Sequence, residues 1–254
     1  MLEGKVIIVT GAASGMGRSA ATIFAAAGAQ VLLADRSAAA GQKVAAAIRA
    51  AGGAAHFHET DVSDEEAVQA MVGAAVDTFG RLDGAFNNAG VAMQLKLLPD
   101  LTRTEYQATC DINQGGVFLC MKYEIAAMRK TGGGAIVNNS SAAGQMAVPY
   151  AAEYIASKHA VVGLTRAGSA EARETGVRVN AILPGNIQTP MLDQLAERAN
   201  FFAADHSAWV AERHSIGRFG QPEDVARAAK WLLSDESAFI NGVCLPVDGG
   251  FLAR

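Results

Sequence analysis

The sequence predicts a doubly wound α/β fold: one parallel sheet of about seven strands with helices on both faces. Three observations carry this expectation. Short β-rich runs alternate with longer alanine-rich stretches along the whole chain, an order that calls for right-handed crossovers and a parallel sheet. Most of the short runs are near-continuously apolar, as strands covered on both faces must be. No Pro/Ser-rich linker, composition break or internal repeat divides the 254 residues, so a single domain spanning 1–254 is expected.

Taken in order, the run Val6 to Thr10 leads into a helical segment near 15–28, and Val31 to Asp35 into one near 38–51. Ala54 to Thr60 precedes a helix near 64–79, and Leu82 to Asn87 a long one near 103–130. Ala135 to Ser140 is followed by a helix near 151–174. Val177 to Leu183 and Val243 to Val247 are the last two strands, with a helix near 222–233 between them. Two places depart from this rhythm. Gly115-Gly116, beside Asn113, sit inside the long helix, where each glycine costs about 1 kcal/mol, so a kink or a close backbone approach is expected there. The stretch Pro184 to Pro222 is far longer than an ordinary connection and predicts a substrate lid near 186–217.

Composition excludes several function classes. Half the residues are hydrophobic, only 18% are charged, and the net charge is −4, which supports a large buried core and gives no electrostatic case for nucleic acid or anionic lipid. The uncharged run from Ser19 to Ala34 is interrupted by Gly28-Ala29-Gln30 and divides into a helix and a strand, so no membrane span is expected. The amino terminus enters an apolar strand without a signal pattern. Three irregularly spaced cysteines and five histidines without ligand spacing imply no disulfide framework and no metal, and a cytoplasmic setting is the default.

The first strand runs into Thr10-Gly11-Ala12-Ala13-Ser14-Gly15-Met16-Gly17 and then a helix. Small residues let the backbone approach a pyrophosphate while the helix start offers free N–H groups, with Gly11, Ser14, Gly15, Met16 and Gly17 forming the cradle. The spacing is GxxxGxG rather than GxGxxG, so alone it reads equally as a plain strand–helix turn. Asp35 changes that balance. It closes the second strand 18 residues after Gly17, where a carboxylate accepts bonds from the adenosine ribose hydroxyls. A 2′-phosphate about 5 Å from it would cost roughly 3 kcal/mol at an effective dielectric near 20, so NAD(H) is expected, although Arg36 offsets part of the repulsion. Asp61 and Val62 after the third strand suit the adenine, and Asn88, Ala89 and Gly90 after the fourth lie near the switch point of the sheet. Each of these two sites alone reads as an ordinary turn.

Tyr154 and Lys158 stand four apart on one helix face. Hydride transfer to a carbonyl leaves an alkoxide to be protonated. A tyrosine can do this if a nearby ammonium and a positive nicotinamide lower its pKa of about 10. As a bare pair, Tyr and Lys are a common surface contact; Ser140-Ser141, ending the fifth strand, supply the context. The backbone or side chain of Asn113 in the glycine-weakened helix can hold a water that leads protons from Lys158 to solvent, although alone it reads equally as a plain polar helix residue.

With these residues in place the chain resembles the short-chain dehydrogenases/reductases over essentially its whole length. The matching motifs are TGAASGMG (10–17), NNAG (87–90), Asn113, Ser141 thirteen residues before Tyr154, the YxxxK of Tyr154 and Lys158, and PGNIQT (184–189). The resemblance implies a seven-stranded Rossmann-type sheet and a catalytic tetrad of Asn113, Ser141, Tyr154 and Lys158. It implies that Tyr154 and Lys158 also contact the cofactor, Lys158 at the nicotinamide ribose. Pro184, Gly185, Ile187 and Thr189 are implied to complete the cofactor site. A homotetramer pairing through the two long helices and the segment near Val243 to Phe251 is likewise implied. Tyr150 has no lysine at 154 and is not the catalytic tyrosine. Glu153 and Asn139 are less usual choices for such proteins; neither removes a tetrad member, and Glu153 can shape the pocket or a subunit contact.

The substrate pocket is expected from Met93, Ser141, Ala143, Met146, Tyr150, Tyr154, Met191, Phe202 and Trp209, with Val91, Leu95, Val148, Leu192 and Leu195 adding apolar surface. The same apolar load also suits simple packing of the 184–222 segment onto the domain. No Arg/Lys cluster faces this region, so a neutral, largely apolar secondary alcohol or ketone is expected. Two other readings stand beside it: an NADPH-linked carbonyl or acyl-carrier reductase, and a dinucleotide-binding regulator without catalysis.

Overall fold

A computed structural model of the chain describes residues 1–198 and 214–253. Among these, the strands β1 (Val6–Thr10), β2 (Gln30–Asp35), β3 (Ala54–Glu59), β4 (Gly84–Asn87), β5 (Gly134–Asn139), β6 (Val177–Pro184) and β7 (Cys244–Val247) form one sheet. Its order is β3-β2-β1-β4-β5-β6-β7 and every neighbouring pair is parallel. The order in which the chain winds across the sheet reverses between β1 and β4, which opens a crevice beyond their carboxyl ends.

The apolar runs are continuous because each strand feeds two cores. In β1, Ile7 and Val9 join one buried cluster while Val6 and Ile8 join the other. The first cluster is roofed by α1 (Gly15–Ala26), α2 (Ala38–Ala50) and α9 (Pro222–Leu233), the second by α3 (Glu65–Phe79), α5 (Gly116–Met128) and α6 (Ala152–Ala170). Phe24 of α1 and Phe86 of β4 meet edge to face in the first, with ring centroids 6.3 Å apart; full burial of each ring stabilises by about 1.5–3 kcal/mol. Helix ends follow local chemistry. The Asp64 carboxylate caps α3 by accepting from the amides of Glu66 and Ala67, and Gly80 closes it at φ 84°.

The long helix expected over 103–130 is divided. A capping box starts α4 (Arg103–Cys110): the Glu105 amide donates to Thr102 Oγ1 at 3.2 Å, and Glu105 Oε2 accepts from the Thr102 amide at 3.0 Å. A π-helical turn, Asp111–Gly115, then joins α4 to α5. The expected kink is this turn, and a close approach accompanies it: a Cβ on Gly116 would lie 2.8 Å from Val62 Cγ2. The helix expected over 151–174 also breaks, at Glu171, into α6 and α7 (Ala172–Thr175). Within the long segment after Pro184 lie α8 (Pro190–Arg198) and a single bridge between Ile187 and Gly220. Phe202, His206 and Trp209 fall outside the described residues.

A polar row runs through the second core. Asn87 Nδ2 on β4 donates to Glu124 Oε2 on α5 at 2.9 Å and to Asn138 Oδ1 on β5 at 3.1 Å. Asn138 Nδ2 donates in turn to Thr165 Oγ1 on α6 at 3.0 Å. Glu124 is fully buried, and burial pushes its carboxyl up to about 8, opposed only partly by the Asn87 bond. Glu124 Oε1 and Asn87 Oδ1 have no hydrogen-bond partner. Among the described residues, no helix is long and apolar enough to cross a membrane.

Candidate active site

At the end of β1 the chain turns through Gly11 and enters α1 at Gly15, both in left-handed conformation at φ 65° and 50°. The cradle has no room for side chains. A Cβ on Gly11 would sit 2.9 Å from Asn88 Nδ2, and one on Gly15 3.3 Å from Thr189 Cγ2. Gly17 does not line the resulting cleft; a Cβ there would collide with the Gly11 carbonyl oxygen, so Gly17 sets how closely α1 packs on the turn rather than touching a ligand. The cleft, about 470 Å³, brings together Gly11, Ser14, Gly15, Met16, Asp35, Arg36, Asp61, Val62, Asn88, Ala89, Gly90 and Thr189; Thr60, Gln94 and Ile112, which no motif marks, also face it.

The polar groups here are held in place. Asp35 Oδ2 accepts from the Ala13 amide at 3.0 Å and Oδ1 from the Ser37 amide at 2.9 Å, which aims the carboxylate at the cleft. Asp61 Oδ1 accepts from the Ser63 hydroxyl at 2.6 Å and amide at 2.9 Å, and these bonds hold its carboxyl below the usual range. Thr10 Oγ1 accepts from the amides of Asn88 and Ala89 at 3.0 and 3.1 Å, and Asn88 Nδ2 donates to the Thr10 carbonyl at 3.0 Å. The loop after β4 is thereby stitched to the glycine turn across the switch point. An open cradle backed by an unobstructed helix start and a fixed carboxylate at strand β2 fits a dinucleotide.

Ser141, Tyr154 and Lys158 converge on a second cleft that joins the first at Asn88 and Gly90. The two neighbouring serines divide their work. Ser140 Oγ donates to the Lys158 carbonyl at 2.9 Å and fastens β5 to α6, whereas Ser141 faces the cleft and shares a side-chain hydrogen bond with Tyr154. Lys158 is buried; its Nζ donates to the Asn139 carbonyl at 2.9 Å and lies 5.6 Å from the centre of the Tyr154 ring. Burial lowers the ammonium to about 8 and raises the phenol above its ordinary value, with the Ser141 bond pulling the other way. In the chain by itself desolvation of the phenol outweighs the Ser141 bond; the expected depression calls on a bound nicotinamide as well.

Asn113, in the π turn, is fully buried and its side chain is committed. Its Oδ1 accepts from the Val91 amide at 2.7 Å, and its Nδ2 donates to the Val91 carbonyl at 3.1 Å and to Ser157 Oγ at 3.3 Å. These bonds make the side chain a pin for the loop after β4, which leaves the backbone of Asn113 as the part that could hold a water.

The second cleft is about 730 Å³ and mostly apolar. Met93, Ala143, Tyr150 and Met191 line it as expected, with Pro184, Gly185, Ile187 and Thr189 along one side. Met146 does not. Its amide turns back onto the Ala142 carbonyl at 3.2 Å, and Val148 and Pro149 form that part of the wall. Phe251 also faces the cleft, brought from the last residues of the chain by the turn after β7. His214 is buried, takes a hydrogen bond from the Asn186 amide at 3.3 Å on Nε2, and packs against Phe251 with ring centroids 5.2 Å apart.

Comparison with known proteins follows the same lines. The family model described as enoyl-(acyl carrier protein) reductase matches residues 11–252. The 2,5-dichloro-2,5-cyclohexadiene-1,4-diol dehydrogenase of Sphingobium indicum is 46% identical over 253 residues, covering 99% of this chain and 98% of that one. The cyclohexanol dehydrogenase of an Acinetobacter species is 38% identical over 250 residues, covering 98% and 96%. The solved structure of levodione reductase superimposes with a TM-score of 0.95 at 34% identity, over 100% of both chains.

Proposed function

This chain belongs to the short-chain dehydrogenase/reductase family, and we propose that within it the protein is an NAD-dependent dehydrogenase of neutral alicyclic secondary alcohols, reversible as a ketone reductase. The observation that carries this reading is the meeting of Ser141, Tyr154 and Lys158 at the junction of a dinucleotide-shaped cleft and an apolar one. A bound nicotinamide supplies the hydride acceptor or donor at the substrate carbon. Tyr154 Oη takes the hydroxyl proton in oxidation and returns it in reduction, and Ser141 Oγ holds the substrate oxygen beside it. Lys158, whose Nζ lies 5.6 Å from the Tyr154 ring centre, would hold the nicotinamide ribose and add positive charge near the phenol. Lowering a phenol by about 3 units requires roughly 4 kcal/mol, and burial adds to that demand here.

Asp35 supports NAD over NADP, since its fixed carboxylate stands where a 2′-phosphate would repel it. The apolar second cleft supports a neutral substrate, and two relatives whose names specify cyclic alcohols support a ring. We further assign a single domain, with a homotetramer as the working assembly in the cytoplasm; the lid expected near 186–217 falls largely on residues 199–213, outside the described residues. Initial rates with NAD⁺ and NADP⁺ against cyclohexanol, cyclohexanediols and linear, anionic and phosphorylated alcohols test the reading. Turnover confined to NADP(H), or a best substrate bearing a negative charge, overturns it.

A further inference from the structure

One wall of the cleft that Ser141 lines is an irregular loop, residues 91–97, with partly buried Met93 and Leu95 facing the cleft. Such a loop needs restraint, because Leu95 is held at φ 62°, a left-handed conformation that costs about 1–2 kcal/mol for a residue with a Cβ. Among the described residues, the other non-glycine at positive φ is Tyr150, on the same cleft. The start of the loop is pinned by the Asn113 side chain, which bonds both backbone groups of Val91. Its middle is pinned by Glu153. The Gln94 amide donates to Glu153 Oε1 at 2.6 Å, one residue before the strained Leu95. Farther along, Lys96 pairs with Glu105 at 2.6 Å on a more exposed surface.

Glu153 is fully buried, and its second oxygen has no hydrogen-bond partner. Burying a carboxylate for one backbone hydrogen bond is expensive, yet Glu153 sits in the first turn of α6 beside Tyr154 in sequence. The same helical turn therefore carries the phenol and the anchor of this wall. We propose that Glu153 is a positioning residue that sets the size of ring admitted to the site, by fixing Met93 and Leu95 at a set distance from Tyr154. This rests on the alicyclic-alcohol reading above for the identity of the substrate, but the clamp itself does not.

The test uses the full-length protein with Glu153→Ala, Glu153→Asp and Glu153→Gln. Hydrogen–deuterium exchange at the Gln94 amide reads the clamp directly. Steady-state kinetics with cyclohexanol and the bulkier decahydronaphthol read its consequence, and fluorescence titration with NADH reads cofactor binding. In Glu153→Ala, exchange at Gln94 should accelerate about tenfold and KM for cyclohexanol should rise about tenfold, the scale of one charged hydrogen bond. The preference for cyclohexanol over decahydronaphthol should shrink, while kcat and the NADH Kd stay within about threefold. Glu153→Gln, which keeps an acceptor for the amide, should restore both exchange and KM. Glu153→Asp, with its shorter reach, should behave like Glu153→Ala, and it serves if the alanine variant does not fold. Unchanged exchange at Gln94 in the Ala and Asp variants overturns the proposal, as does a fall in kcat at constant KM. If the wild type oxidises neither alcohol, the substrate reading has failed, and the exchange measurement alone still decides whether the clamp exists.

Discussion

Replacing Glu124 by glutamine should make the protein more stable near neutral pH and flatten its acid-to-neutral stability profile. Glu124 is fully buried in the polar row between α5, β4 and β5, and burial raises its carboxyl from 4.5 to about 8. The folded chain therefore keeps a proton that the unfolded chain sheds. By linkage, the contribution of this group is fully present below pH 4.5 and is lost as pH rises toward 8. Each unit is worth about 1.4 kcal/mol, so the loss by pH 7.5 is on the order of 4 kcal/mol. A glutamine amide cannot ionise, and its oxygen still accepts from Asn87 Nδ2. Urea unfolding of both proteins at one protein concentration, from pH 5 to pH 8, measures the difference directly. The two should agree within about 1 kcal/mol at pH 5 and diverge by roughly 3 kcal/mol at pH 7.5. Other titrating groups are common to both proteins and cancel in that difference. Parallel pH profiles would refute the reasoning.

Three further outcomes are expected. Tyr154→Phe should bind NADH almost normally in a fluorescence titration while turnover falls by about a thousandfold or more, the scale of a lost general acid; activity within tenfold of wild type removes Tyr154 from the chemistry. Asp35→Ser should improve NADPH use relative to NADH by about a hundredfold in kcat/KM, and adding Arg36→Ala should reverse much of the gain; a wild type that already prefers NADPH contradicts the ribose assignment. Light scattering at micromolar concentration should give a tetramer, and a monomer would remove α4, α5 and α6 as pairing surfaces.

The sheet was legible in the sequence because parallel strands buried on both faces announce themselves as unbroken apolar runs, β1 most clearly. The edge strand β3, with His56 exposed between buried Ala55 and half-buried Phe57, shows the weaker signal of a strand with one neighbour. Gly115-Gly116 marked a disturbance in the long helix, and a π turn stands there, but its bond pattern was beyond what glycine alone can specify. The glycine cradle, Asp35 and the Tyr154–Lys158 pair could be read because each is a local spacing with a chemical reason. Glu124 could not be, and Glu153 stood out only as an unusual neighbour of Tyr154. A single carboxylate on a helix reads as a solvated face, and only packing against β4 or against the 91–97 loop turns it inward. Gly17 and Met146 lie next to cleft-lining positions in sequence, and backbone direction turns both away from the clefts.

The π turn between α4 and α5 also constrains how this chain can change length. It accommodates one more residue than an α turn, so α5 leaves it rotated by about 100° from the phase that a plain continuation of α4 would dictate. Deleting any one residue from Asp111–Gly115 would yield a more regular helix, with no side chain of the site necessarily lost. It would also swing Cys120, Met121 and Glu124 away from the sheet they now face, or else drag Asn113 off Val91. The turn thus acts as a key between two helical registers. Substitutions across α4 and α5 can be absorbed singly, whereas a one-residue indel between Cys110 and Gly116 forces a choice between the core and the catalytic cleft.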